Sequence, residues 1–254
     1  MESRCNSRHA DARIPGGTEP MTAPPAGHGY PLWPLPLIAG LLIAVAALSA
    51  WWISVAQGYI PYCNPFIDGC VSISRAARHG LGNHIFRALT LPSATIQGAT
   101  WLICAAWLAR SGATGRSLRW LPWLGVVAAI FLVVYGTFLG TEGGIYRWLR
   151  RYGTIVYFGF TYVCILITTG HVRRLARNDA LAVPARMDVM LTFLAGLTML
   201  VAIAHVFIAP MLDEQLKDRV ENMVEWAIGL SFTLFFLALA CLWRHAHLNL
   251  RLQD

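Results

Sequence analysis

A chain of 254 residues with 56% hydrophobic and only 13% charged side chains cannot cover a water-facing surface, because soluble domains carry roughly 25% charged residues. Its net charge of +7 is distributed along the chain rather than gathered on one face of a soluble module, which excludes nucleic acid as a partner. The mean hydropathy of +0.52 points to a membrane protein instead.

Residues 1–33 come first in chain order. They are polar and rich in Pro and Gly, and predict a disordered cytoplasmic tail. A signal peptide has a basic start followed directly by a short apolar core, whereas here a polar tail of over thirty residues precedes the first apolar run, so a retained first span is expected. Six apolar runs follow, at Pro34–Ala56, 88–109, 120–140, 153–171, 189–209 and 223–243, each bounded by charge, Pro or Gly. About 20 apolar residues cross roughly 30 Å of hydrocarbon, whereas barrel strands are about 10 residues long and alternate. The predicted fold class is all-α, a six-helix transmembrane bundle over residues 34–243 with a short cytoplasmic tail at 244–254.

The loop after the first run is the densest in chemistry. Cys63 and Cys70 flank a Pro and an Asp-Gly turn. On the oxidising side of a membrane this favours a disulfide over two free thiols or half of a metal site, and no CxxC spacing is present. Cys104, Cys164 and Cys241 fall inside apolar runs and read as packing residues. Asp68, Ser72, Ser74, Arg75, Arg78 and His79 complete the loop. Arg75, Arg78 and Arg87 have the forked geometry that holds a phosphate. Ser72 or Ser74 could serve as a nucleophile with His79 or His84 as its base. The structural alternatives are a helix-capping Ser and an Arg that snorkels to headgroups.

The later loops set the orientation. Arg110, Arg116 and Arg119 follow the second run without an acid, and Arg173, Arg174, Arg177 and Arg186 follow the fourth. The loop after the fifth run is acidic, with Asp213, Glu214, Asp218 and Glu221. Positive loops stay cytoplasmic, so both termini are expected inside and the cysteine-bearing loop outside.

Ionisable residues within or bordering spans mark candidate sites. His84, Arg87, Glu142, His205 and Glu225 fall at one depth, toward the outer face. Glu225 and His205 could also simply pair. Two facing imidazoles, His84 and His205, have the chemistry of b-type haem ligation. Gly136 and Gly140 have the small-xxx-small spacing of close helix approach, and His171 is expected at inner headgroups. There is no Gly-rich phosphate loop, HExxH or GxSxG, so no metal or other cofactor is expected.

Six spans, Pro65-Phe66-Ile67 and Ser72-Ile73-Ser74 in the first outer loop, and Glu225-Trp226 at the start of the sixth span together resemble the Frag/DRAM/Sfk family. That family includes autophagy modulators and a Golgi protein needed for remodelling the lipid of GPI anchors. Relatives often have Ile-Ser-Asp/Glu-x-Gly in the loop, where this chain has Ser72-Ile73-Ser74-Arg75 preceded by Asp68. The resemblance implies work with, or sensing of, membrane lipid, and extends the candidate site to Trp226. Nineteen of the twenty basic residues are Arg, a usage that suggests a high-GC bacterium and hence the inner membrane. The leading expectation is a lipid-interacting protein with a polar site at the outer face. The alternatives are a lipid acyl transferase or hydrolase and a b-type haem protein.

Overall fold

The computed structural model describes residues 29–250. The first 28 positions of the expected disordered tail and the last four residues, including Arg251, lie outside them. Within them are helices α1 (Pro34–Ala56), α2 (Ile73–Ala76), α3 (Gly80–Arg110), α4 (Arg116–Phe138), α5 (Gly144–Arg177), α6 (Ala185–Ile208) and α7 (Glu214–His245). A 3₁₀ turn, Ala209–Met211, follows α6. Two short strands, β1 (Tyr30–Pro31) and β2 (Asn249–Leu250), pair antiparallel. The expected tail is therefore ordered where Tyr30 and Pro31 meet β2.

The fold is all-α, and the chain has the helices of a multi-pass membrane protein. Five of the six long helices carry a stretch apolar enough to cross a bilayer, with mean hydropathies from 1.6 to 2.2. The sixth, α3, contains the expected 88–109 run but lacks such a stretch. Its 31 residues reach about 46 Å, more than enough to cross. Its polarity is turned inward. Ser93 Oγ donates to the Ala39 carbonyl of α1 at 2.9 Å, and Gln97 Nε2 donates to Ser93 Oγ at 3.1 Å. The Tyr157 hydroxyl of α5 donates to Gln97 Oε1 at 3.3 Å. An unsatisfied polar group in hydrocarbon costs several kcal/mol, so this chain of bonds lets a polar helix sit in an apolar bundle.

Each long helix packs against its neighbours in sequence, and α7 closes the ring on α1. The closure is fastened by β1 and β2 and by Arg244, whose guanidinium lies 5.4 Å from the Trp33 ring. Both ends of the described chain thus meet at one end of the bundle. We call it the terminal end and its opposite the disulfide end. Two apolar cores stack along the bundle. Trp101, Trp107, Phe235, Phe236 and Trp243 fill the one toward the terminal end, and Phe86, Leu132, Tyr135, Tyr157 and Trp226 the other.

Helix ends follow local chemistry. Pro34 begins α1, where its missing N–H is no loss. The Asp213 side chain accepts the Leu216 N–H at 2.8 Å to cap α7. Gly125 brings α4 onto α3 so closely that a Cβ there would lie 2.2 Å from Trp101 Cβ. Gly136 also faces α3, but Gly140 lies beyond α4 at φ +84°. The small-xxx-small pair is therefore one contact glycine and one turn glycine. His171 is buried, with Nε2 3.1 Å from Ser117 Oγ, rather than set among headgroups. Cys104 and Cys164 are buried as expected, while Cys241 is exposed on the outside of the bundle.

Candidate functional site

The loop between α1 and α3 folds over the disulfide end and is seamed to α7. Asp218, Asn222, Glu225 and Trp226 lie on one face of α7, as their spacing requires. Each holds a different part of the loop. Asp218 accepts from the Arg75 guanidinium at 2.5 Å. Asn222 Nδ2 donates to the Gly69 carbonyl at 2.8 Å, and Trp226 Nε1 donates to the Val71 carbonyl at 2.9 Å. Glu225 Oε1 accepts the backbone N–H of Ser74 at 3.3 Å. The Phe66 ring meets Trp226 edge-on, with centroids 5.2 Å apart. Gly69 makes the close approach possible. Its φ is +60°, and a Cβ would lie 2.2 Å from the Arg219 carbonyl oxygen.

Other contacts tie the loop to the rest of the ring. The Cys63–Cys70 disulfide closes its first half, with Cα atoms 6.5 Å apart. Ser54 Oγ of α1 donates to the Ala76 carbonyl at 2.6 Å. Asn83 Nδ2 of α3 donates to the Ala77 carbonyl at 2.9 Å and to the Leu139 carbonyl at 3.1 Å. The loop is a fixed roof. The hydrogen bond to Asp218, reinforced by its charge, holds the Arg75 guanidinium above its ordinary pKa range, so this arm stays charged and engaged.

Beneath the roof is a cavity of about 90 Å³ between α1, α4, α5 and α7. Its walls are apolar, with Ala44, Leu48, Phe66, Phe158 and Trp226 among them, and its polar side chains include Glu225, Tyr135, Tyr157, Thr154 and Thr233. A second, wider cleft of about 380 Å³ adjoins it, and Tyr135 and Thr154 line both. Four guanidinium groups border this cleft: Arg78 of the loop, and Arg147, Arg150 and Arg151 of the first turns of α5. Among the described residues no carboxylate pairs with any of the four, and the one ion pair is Arg75–Asp218. Arg150 is held in place by donating to the Phe138 and Thr141 carbonyls at the end of α4.

The expected site residues divide by this geometry. Glu225 and Trp226 line the cavity, and Ser74 and Arg78 line the cleft. Arg75 is taken up by Asp218 rather than free for a phosphate, and the half-buried Arg87 lines neither space. Asp68 accepts the Asn64 N–H at 2.8 Å and shapes the turn. Glu142 is exposed and stands apart.

Ser72 caps α2. Ser72 Oγ is buried, accepts the Arg75 N–H at 3.2 Å, and lies 3.1 Å from Ser74 Oγ. No hydrogen bond links either hydroxyl to a His among the described residues. His79 is exposed and stacks near Tyr59, with ring centroids 5.4 Å apart, and His84 is exposed on α3.

His205 does not pair with Glu225. Its Nε2 is enclosed on α6 without a partner. Because α6 packs on α5 and α7 and not on α3, His84 and His205 present no facing pair for a haem. No group of three or more metal-ligating side chains occurs among the described residues.

Sequence reasoning missed Asn222, Gln97 and the three α5 arginines. The signals were present as a polar stripe at 218, 222 and 225 and as a basic triplet at 147, 150 and 151.

Composition, span count and fold together define a multi-pass integral membrane protein. No family model, curated protein or solved structure matches the chain.

Proposed function

We propose that the protein binds a membrane lipid through the roofed cavity at its disulfide end, and that this end faces the oxidising side of a bacterial inner membrane with both termini cytoplasmic. The observation that carries the reading is the cavity itself: an apolar slot between membrane-spanning helices, beside a carboxylate and a cluster of guanidinium groups. Apolar pockets with a few convergent polar groups are the usual form of small-ligand sites.

Two further observations support it. The terminal end carries Arg110, Arg116, Arg119, Arg173, Arg174, Arg177, Arg186 and Arg244 against only Asp179 and Asp188. The disulfide end carries eight basic residues against seven acidic ones. That asymmetry favours the terminal end as the cytoplasmic one. In addition, the segments that resemble the Frag/DRAM/Sfk family meet at the cavity. Phe66 packs on Trp226, and the Ser74 N–H bonds Glu225. On the proposed kinship, these segments form one lipid-facing site.

The test is the lipid that stays with the purified full chain, counted by native mass spectrometry. Ala44 lines the cavity, and Ala44→Phe fills it. Ala106→Phe, on an exposed position of α3, is the control. The expected result is loss of the retained lipid in the first variant and not in the second. Equal lipid in wild type and Ala44→Phe, with the bundle intact, sinks the reading.

A further inference from the structure

The arginine cleft asks for an anion. Arg147, Arg150 and Arg151 are spaced to share one face of α5, and Arg78 comes to the same cleft from the loop. Like charges gathered this closely repel, and no carboxylate among the described residues neutralises them. Five of the seven carboxylates of this end, Asp213, Glu214, Asp218, Glu221 and Glu225, gather at the start of α7. Asp68 is taken up by the Asn64 N–H, and Glu142, just before α5, forms no ion pair with the arginines among the described residues. Short loops on the outer side of a membrane ordinarily avoid Arg, so three within five residues there run against the topological trend.

Two more features aim the cleft at a ligand. Arg150 is pre-set by two carbonyls of the preceding turn, which leaves the other guanidinium groups as the free arms. Tyr135 is 6% exposed and lines the cleft. It also lines the apolar cavity, together with Thr154, so a ligand reaching across both would pass these two side chains.

We propose that this cleft binds the phosphate of an anionic phospholipid, with Arg78, Arg147 and Arg151 as its forked donors and the lipid chain directed into the adjoining cavity. This rests on the lipid reading above and specifies its headgroup. Arginine forks match phosphate oxygens in pairs. Free inorganic phosphate has the same chemistry, so the experiment separates the two.

The full chain is placed in nanodiscs of phosphatidylcholine alone or mixed with phosphatidylglycerol, and bound lipid is counted by native mass spectrometry. The wild type is expected to enrich phosphatidylglycerol over phosphatidylcholine. Arg147→Gln with Arg151→Gln, both at exposed positions, is expected to lower that enrichment about tenfold, which corresponds to losing about 1.4 kcal/mol. Arg78→Gln is the second variant and is expected to lower it in the same direction. Arg173→Gln with Arg174→Gln, at the terminal end, is expected to leave it unchanged.

Enrichment that survives both cleft variants overturns the proposal. Binding of inorganic phosphate with no preference for phosphatidylglycerol overturns the lipid assignment in favour of a free anion. Failure of the cavity reading looks different: there Ala44→Phe retains its lipid while the arginine variants still lose their headgroup preference.

Discussion

Glu225, in the last helix, accepts the backbone N–H of Ser74, 151 positions earlier in the chain, at 3.3 Å. This bond joins the roof of the cavity to its wall. A half-buried carboxylate is costly unless it is hydrogen-bonded, and here it serves the roof on one side and borders the cavity on the other.

Removing that carboxylate should loosen the roof. Glu225→Ala leaves the Ser74 N–H without its acceptor, at a cost of about 1–3 kcal/mol. Glu225→Gln keeps an oxygen in place and should recover most of the loss. Thermal unfolding of the detergent-solubilised protein reads the difference. Equal melting of the Ala and Gln variants would contradict the assigned bond.

Gly69 should tolerate no side chain. Gly69→Ala meets a positive φ and a carbonyl 2.2 Å from the new Cβ, so the seam to α7 must open. Gly58→Ala also has a positive φ, +74°, but nothing lies within 4 Å. The second variant should cost only about 1–2 kcal/mol of backbone strain and the first clearly more. Comparable melting temperatures for the two would show that the loop does not lie against Arg219.

The same logic applies inside the bundle. Gly125→Ala drives a methyl into Trp101 and should weaken the α3–α4 contact strongly. Gly159→Ala meets open space and should be neutral or stabilise by up to about 1 kcal/mol, since Ala is the better helix former. Side-by-side thermal scans decide this, and a reversed order would mean the two helices sit further apart.

The disulfide closes a short loop, its cysteines seven positions apart in sequence. Chain entropy alone gives it about 2–3 kcal/mol of stabilisation. Cys63→Ser with Cys70→Ser should lower the melting temperature, yet leave the loop docked through Asn222 and Trp226. In intact cells, a membrane-impermeant maleimide should label Cys63 and Cys70 only after reduction. Labelling without any reductant would show the thiols to be free.

Much of this architecture is legible in the sequence, for a physical reason. The runs that became α1, α4, α6 and the inner parts of α5 and α7 are continuously apolar because lipid surrounds them. A hydropathy reading stops where charge begins. It therefore misses the first turns of α3, α5 and α7, where Gly80, Gly144 and Glu214 start helices that project beyond the expected runs at 88, 153 and 223. Those added turns carry the site. Arg147 and Arg150 lie in one of them, and Asp218 and Asn222 in another.

Glu225 and Trp226 stand out in sequence because they interrupt or border an apolar run. Asn222 does not, because an uncharged amide near a span end looks unremarkable until the Gly69 carbonyl is placed against it. Gln97 is hidden in the same way, since only the positions of Ser93 and Tyr157 show it to be one link in a chain of bonds. Depth alone grouped His84, Arg87, Glu142 and His205 with Glu225. Depth along a helix says nothing of which way a residue faces, and these four face elsewhere.

Whether a lipid occupies the roofed cavity is read from an experimental structure of the full chain in a lipid nanodisc. Elongated acyl density is expected between α1 and α7, beneath Phe66 and beside Glu225, leading to headgroup density among Arg78, Arg147 and Arg151. A cavity that is empty or holds only water, in a map that resolves the surrounding side chains, would contradict it.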